Sequence, residues 1–367
     1  MKDPIRLAVI STSRSEFGQL APIVRKLQGD DRFVVDFIVA GMHLNAGTPT
    51  PAECVGLEVI RLPKPADSLG FVHQIALRQH LLERRIEVAL ILGDRFELLE
   101  LAVPLMLANV VIAHLSGGER TAGAIDDQIR DAVTKLAHLH FPAHAAAGRR
   151  LEKLAEEPWR IQVVGEPGLD AIRAEGLLPR GELAKITGAK PELGDAVIAI
   201  HPVTMDQRQT TACIEAVATF AADFPGRLFF SSPNGDPGSA EILARWQTLA
   251  GPRRIVLGNH GAQFFRSLTS ACGLQIGNSS AGLVEAPSLG AVTIDLGTRQ
   301  KGRPRGSSVI TVEEVTAPAL RTAVGEAPSF RDQARPELNP YGDGRTAERV
   351  ITALANSVRD VRIRTKK

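Results

Sequence analysis

Cysteine is scarce in this chain: three in 367 residues, at Cys54, Cys213 and Cys272, widely separated and odd in number. No C-x-x-C pair and no Cys/His spacing suits zinc, so a disulfide scaffold and a structural zinc site are excluded and a reduced, cytoplasmic protein is expected. An excess of charge of one sign is missing too. Lys and Arg total 43 against 41 Asp and Glu, a net +2, which leaves nothing to drive nonspecific binding to nucleic acid or a membrane surface. Only the terminal VRDVRIRTKK is locally basic, and it reads as a solvated tail. No stretch reaches the ~18 uninterrupted apolar residues of a membrane span. The apolar run within MKDPIRLAVIS is too short for a secretory signal. Three catalytic fingerprints are absent as well: G-x-x-x-x-G-K-[ST], G-x-G-x-x-G and G-x-S-x-G. Their absence argues against ATP hydrolysis, NAD chemistry and a nucleophilic serine.

What is present is an ordinary globular composition, 44% hydrophobic and 23% charged, in a chain too long for one compact core. Short apolar runs alternate with longer amphipathic ones. IRLAVIS, FVVDFIVA, VALIL, NVVIAH and IQVVG read as strands in the first half, and AVIAIHP, RLFFSSP, RIVLG, CGLQIGN and AVTIDLG in the second. They are continuously apolar rather than alternating, as expected of parallel strands covered on both faces. Ile125, Ile129, Val133 and Leu136 mark one apolar helix stripe. The polar stretch LLPRGELAKITGAKPELGD separates the two series and reads as a linker. The expectation is an α/β protein of two doubly wound, Rossmann-like domains facing a central cleft, spanning 1–172 and 173–345, with a helix in 346–367 crossing back to the first domain.

The polar motifs share one topological position. STSRSEFG, GDRFE, SGGE, HPVT, SSPNGD, GNSSAG and GTRQKGR each directly follow an apolar strand, and open α/β sheets bind ligands outside the carboxyl ends of their strands. GNSSAGLVEA offers small residues and hydroxyls where a helix begins, which suits a diphosphate or a plain helix cap. Glu285, one turn on, can accept from ribose hydroxyls. Arg14 can grip phosphate bidentately, and Arg299, Lys301, Arg303 and Arg305 in RQKGRPRG suggest a mobile loop that closes on an anion or a solvated basic loop. His201 ends its strand as either a structural or a functional group. His138, His140 and His144 do not converge as a metal site. The acids Asp94, Glu97, Glu119, Asp126 and Asp127 remain. Asp126 and Arg130 are spaced for an i,i+4 ion pair; grouped near a phosphate leaving group, acids suit proton transfer on the attached carbon skeleton rather than grip on the diphosphate, which they would repel.

Together STSRSEFGQLAPI, GDRFE, GGERTAGAIDDQIRDAVTKLAHLHF, VVGEPGLDAI, HPVT, GNSSAGLVEAPSLG and GTRQKGR resemble the hydrolysing UDP-N-acetylglucosamine 2-epimerases of sialic- and legionaminic-acid synthesis. The resemblance runs in order over nearly the whole chain. The related non-hydrolysing enzymes share the glycosyltransferase-B-like fold but lack RQKGR. The resemblance implies a homodimer without metal or other cofactor, acting on a UDP-sugar. UDP leaves by anti elimination to a glycal, whose rehydration releases a free sugar inverted at C2. Asp94, Glu119 and Asp126 are then the catalytic acids and bases. Arg14, His201, Asn278, Ser279, Ser280, Gly282, Glu285, Arg299 and Lys301 are then the UDP contacts, with Ser279 and Ser280 at the diphosphate and Glu285 at the ribose. Glu16 stands where the family usually has Asp, and Ser116 where it often has His; Ser116 points to a different sugar, such as a 2,4-diacetamido-2,4,6-trideoxyhexose. The rival readings are a glycosyltransferase of the same fold and a catalytically silent nucleotide-sugar binding module.

Overall fold

The computed structural model describes residues 3–41, 59–62, 71–120, 125–203, 206–233 and 238–366. Met1–Ala174 with Gly344–Lys367 form one compact unit and Glu175–Asp343 a second. In chain order the first contains β1 (Ile5–Ser11), α1 (Arg14–Gln28), β2 (Phe33–Val39), β3 (Val59–Arg61), α2 (Phe71–Glu83), β4 (Val88–Leu92), α3 (Glu97–Leu107), β5 (Val111–Leu115), α4 (Asp126–Leu136), β6 (Leu139–Phe141), α5 (Ala145–Lys153) and α6 (Pro167–Glu175). Its strands pair in parallel in the order β3-β2-β1-β4-β5-β6. Successive side chains of β1 serve opposite cores. Leu7 and Val9 pack with α1, while Ala8 and Ile10 pack with α2 and α3. That two-sided burial is why these strands read as unbroken apolar runs.

The second unit continues with α7 (Arg180–Thr187), β7 (Ala196–Ala199), α8 (Gln207–Asp223), β8 (Leu228–Phe230), α9 (Ser239–Leu249), β9 (Arg254–Val256), α10 (Ala262–Cys272), β10 (Leu274–Gly277), α11 (Ala281–Val284), β11 (Val292–Leu296), β12 (Val309–Val312) and α12 (Ala317–Phe330). Its parallel sheet, β12-β11-β10-β7-β8-β9, repeats the order of the first. Each unit therefore has one switch point where strand order reverses, between β1 and β4 and between β7 and β10. Loops leaving the two strands of a switch point diverge and leave a crevice.

The chain then returns to the first unit as α13 (Thr346–Ser357). Ala347, Val350, Ile351 and Leu354 join the core beside α1. The buried carboxylate of Asp170 accepts from the amides of Thr346 (2.8 Å) and Ala347 (2.7 Å), satisfying two of the orphan donors of a helix start. Two doubly wound α/β units and a C-terminal helix crossing back agree with the expected fold class.

Four local expectations are corrected. IQVVG is not a strand; only Ile161 bridges to His140, and the sixth strand is LHF, which is short enough to hide behind the end of α4. The short edge strands β3 and β12 carry weak apolar patterns and escape the sequence reading. The supposed linker contains α7, whose Leu183 is fully buried. The backbone of the basic tail is clamped, although the side chains of Arg359, Arg362 and Arg364 stay exposed as expected. The fully buried Arg160 donates to the carbonyls of Arg362 (3.1 Å), Ile363 (2.8 Å) and Thr365 (2.9 Å), and Lys366 donates to the last carbonyls of α4 at Thr134, Lys135 and Ala137. Composition shows a basic tail but not the helix end that receives it. Among the described residues no helix is long and apolar enough to cross a membrane.

Candidate active site

In the first unit the acids gather at the carboxyl ends of the adjacent strands β4 and β5. Their centre is Arg130, a buried residue of α4. It forms a close ion pair with Asp94, holds Asp127 at 2.7 Å and donates to the backbone carbonyl of Glu119 at 2.8 Å. The expected Asp126–Arg130 pair is thus replaced by Asp127–Arg130 at i,i+3. Asp126 is left half-buried, and its pKa is raised by burial first and then by the charge of Asp94, with Arg130 opposing. A carboxyl held back from ionisation beside ionisable neighbours is a suitable proton store. Ile125, assigned to the apolar stripe, is 67% exposed, because α4 begins only at Asp126.

Glu119 lies on the turn after β5. Its Oε1 approaches Nε2 of His144 to 2.8 Å, in a bent contact with both atoms shielded from solvent. His144 is the N-cap of α5, with Nδ1 accepting from the Ala147 amide at 3.1 Å. The other two histidines of the run go elsewhere. Nδ1 of His138 accepts from the Ile112 amide (3.1 Å), and His140 pairs with Glu156 (2.9 Å). His114 is fully buried on β5, and burial drives its pKa down to about 3. It is therefore neutral, and its Nε2–H donates to the Gly93 carbonyl at 2.7 Å, fastening the turn that carries Asp94. Ser116 adopts a left-handed backbone (φ 58°), and its buried hydroxyl has no partner among the described residues.

Across the switch point, Glu16 closes the capping box of α1: its carboxylate accepts from the Thr12 amide (2.6 Å) and hydroxyl (2.8 Å) and from the Ser13 amide (3.1 Å). Burial nevertheless pushes its pKa up to about 6 from 4.5, against those hydrogen bonds. The folded state thus binds this proton more tightly than the unfolded chain, so its contribution is present below pH 4.5 and lost as pH rises through 6. Relative to Glu16→Gln, the parent chain should lose about 2 kcal/mol of stability between those limits, at about 1.36 kcal/mol per pKa unit. Urea denaturation of both chains at several pH values checks this, and parallel curves would contradict it. Arg14 opens α1, but its side chain lies outside the described residues, as do Cys54, Thr204 and 234–236 of SSPNGD.

In the second unit a cavity of about 310 Å³ opens at the switch point. Its wall includes His201, Asn259, Phe265, Ser279 and Glu285. Glu285 accepts from Arg266 of α10 at 3.0 Å, which holds its carboxylate beside the cavity. Ser279 is 8% exposed, and Ser280 precedes α11 without capping it through its side chain. Two of the expected contacts have structural tasks of their own. Asn278 is fully buried; its Oδ1 accepts from the His201 amide (2.7 Å) and its Nδ2 donates to the His201 carbonyl (2.8 Å), so it ties the two strand ends together. Gly282 is also internal. A Cβ there would meet Thr293 Cγ2 at 2.6 Å, so glycine lets α11 lie on β11. The adjoining Gly277 meets a stricter limit, since a Cβ would fall 2.0 Å from the Ala199 carbonyl oxygen.

The RQKGR loop is pinned, not free. Arg299 (3.2 Å) and Gln300 (2.9 Å) donate to the Asn278 carbonyl, and Arg305 pairs with the buried Asp295 at 2.8 Å. Lys301 is exposed. The sequence reading missed His144, Arg266, Gln300 and the cavity-lining GNHGAQFF. The last had a usable signal, a glycine-bearing turn directly after the RIVLG strand, like those of the other motifs.

Two Rossmann-like units of identical strand order, one with acids and the other with a nucleotide-sized cavity at its strand ends, define a glycosyltransferase-B-like α/β protein. The sequence profile of UDP-N-acetylglucosamine 2-epimerase matches residues 25–355. The chain belongs to that family. It is 28% identical over 370 residues to the UDP-N,N'-diacetylbacillosamine 2-epimerase (hydrolyzing) of Legionella pneumophila, covering 95% of each chain. It is also 28% identical over 323 residues to the GDP/UDP-N,N'-diacetylbacillosamine 2-epimerase (hydrolyzing) of Campylobacter jejuni, covering 84% of each. The solved UDP-GlcNAc 2-epimerase of Neisseria meningitidis, bound to UDP-GlcNAc, superposes with a TM-score of 0.72 at 16% identity, covering 95% of this chain and 99% of that one.

Proposed function

We propose that this chain is a hydrolysing 2-epimerase of a UDP-2-acetamido sugar, releasing UDP and the free sugar of manno configuration. The observation that carries the reading is the acid cluster: Asp94, Glu119 and Asp126 at neighbouring strand ends, with one buried guanidinium between them and Asp126 held back from ionisation. A glycosyl transfer needs one base; elimination followed by rehydration needs protons removed and returned at C2. In the first step the C2–H bond breaks to a carboxylate, its electron pair forms C1=C2, and the C1–O bond to UDP breaks. In the second, water adds its oxygen to C1 and gives up a proton to a carboxylate, while a carboxylic acid delivers a proton to C2 on the face opposite the one that lost its hydrogen.

The nucleotide falls to the second unit: Glu285, steadied by Arg266, accepts from the ribose hydroxyls, and Ser279, Ser280 and His201 meet the diphosphate with Arg299 and Lys301. Asn278 and Gly282 shape this site without touching the ligand. The names of the Legionella and Campylobacter relatives and the unpartnered hydroxyl of Ser116 favour a 2,4-diacetamido-2,4,6-trideoxy sugar over N-acetylglucosamine. Turnover of both sugars in deuterated water tests the reaction. UDP and free sugar carrying deuterium at C2 are expected from at least one; release of neither, with no deuterium incorporated, would sink the reading.

A homodimer through the first unit belongs to the same proposal. Phe96, Val103, Met106 and Leu107 on and beside α3 are exposed, as are Ile75 and Leu82 of α2, an apolar face of the kind that marks an interface. Light scattering should give twice the chain mass, and the doubly substituted Met106→Glu/Leu107→Glu chain should run as a monomer; a monomeric parent chain rules the dimer out.

A further inference from the structure

We propose that His144 is a positioning residue for Glu119, holding one carboxylate oxygen so that the other exchanges the proton. The inference rests on Glu119 acting as an acid or base. It begins with a feature that has nothing to do with catalysis: His144 is the N-cap of α5. Its Nδ1 accepts the amide hydrogen of Ala147, the third residue of the helix, at 3.1 Å. A ring nitrogen that accepts carries no proton, so in the neutral imidazole the proton sits on Nε2. The cap therefore fixes both the ring's orientation and its tautomer. Nε2 is the atom that lies 2.8 Å from Glu119 Oε1.

The carboxylate is held from the other side through its backbone, where Arg130 donates to the Glu119 carbonyl at 2.8 Å. The Asp131–Arg150 ion pair (2.6 Å) ties α4 to α5, so the elements carrying the two holds move together. Glu119 Oε1 is sealed from solvent, and His144 is 6% exposed. Oε1 thus lies against Nε2 in a bent, solvent-shielded ion-pair contact, and Oε2 is the oxygen left for proton exchange at the sugar. The histidine keeps its own proton throughout; it orients and does not relay.

Two substitutions separate the cap from the positioning. Asn places an oxygen where Nδ1 was and is a favoured N-cap, but it does not reach Glu119. Gln reaches the place of Nε2 with an N–H donor but weakens the cap. His144→Asn should keep the parent Tm and KM while kcat falls on the order of 10- to 100-fold, the usual effect of removing the partner that orients a reacting group. His144→Gln should recover most of that kcat despite a lower Tm. A purely structural histidine predicts the reverse order, Asn active and Gln impaired, and that result overturns the inference. Imidazole nitrogen NMR gives a readout that does not depend on turnover: His144 should be the Nε2–H tautomer, with an Nε2 resonance that moves in Glu119→Gln, and an Nδ1–H tautomer also overturns it. If Glu119→Gln stays active, the catalytic reading of Glu119 fails instead, whatever the tautomer.

Discussion

Glu119→Gln is expected to bind UDP as tightly as the parent chain and to lose turnover by roughly a thousand-fold, within the range that general acid–base groups contribute. The substitution is nearly isosteric. The backbone carbonyl of residue 119 still accepts from Arg130, and the side-chain oxygen still lies against His144 Nε2, so neither the turn nor α5 has reason to move. Only the ability to take and hold a proton disappears. UDP affinity, measured by calorimetry, should stay within two-fold because the residues lining the nucleotide cavity belong to the other unit. Turnover within ten-fold of the parent would remove Glu119 from the acid–base pair and leave Asp94 and Asp126 to do the work.

Arg130→Met should have the largest effect on stability, about 3 kcal/mol, together with loss of most turnover. Removing one partner of a buried ion pair typically costs about 3–5 kcal/mol, because the remaining charge stays without compensation. Asp94 and Asp127 keep some water, with side-chain exposures of 29% and 25%, which puts the expected cost at the lower end. The substitution also removes the buried cation that Asp94 and Asp127 share beside Asp126. Arg130 is the first of the cations that oppose the upward pKa shift of Asp126, so in the variant Asp126 should ionise at higher pH, and the alkaline limb of the pH–rate profile, set by loss of this proton, should move up with it. Urea denaturation and the pH dependence of kcat test the two halves separately. A stability loss under 1 kcal/mol would show that Arg130 is not what holds the cluster together.

These expectations draw on both the linear sequence and its folding. Continuous apolar runs such as VALIL and AVIAI identify doubly covered parallel strands because burial on both faces removes the polar alternation, and the strand-end position of the polar motifs follows from that reading. Short edge strands escape that signal for the complementary reason: VIR and VITV bury little, so they carry little pattern. At the site, Asp94, Glu119 and Asp126 stood out because acids after strands are conspicuous. Residue type and place mark Asn278 and Gly282 as ligand contacts, but spacing carries no sign that the Asn278 amide also holds the His201 backbone or that Gly282 packs closely on β11.

By itself, then, the sequence determined the α/β class, the repeat of two strand–helix series and the type of chemistry its carboxylates offer, since periodicity and residue type are local properties. Only the tertiary structure decided which acid Arg130 takes, that His144 reaches Glu119 while His138 and His140 face other partners, and that Lys366 caps α4 from 230 residues downstream of Leu136. Partner choice among charged and hydrogen-bonding groups depends on distances of a few ångströms between elements far apart in the chain. Spacing along the chain carries no record of those distances.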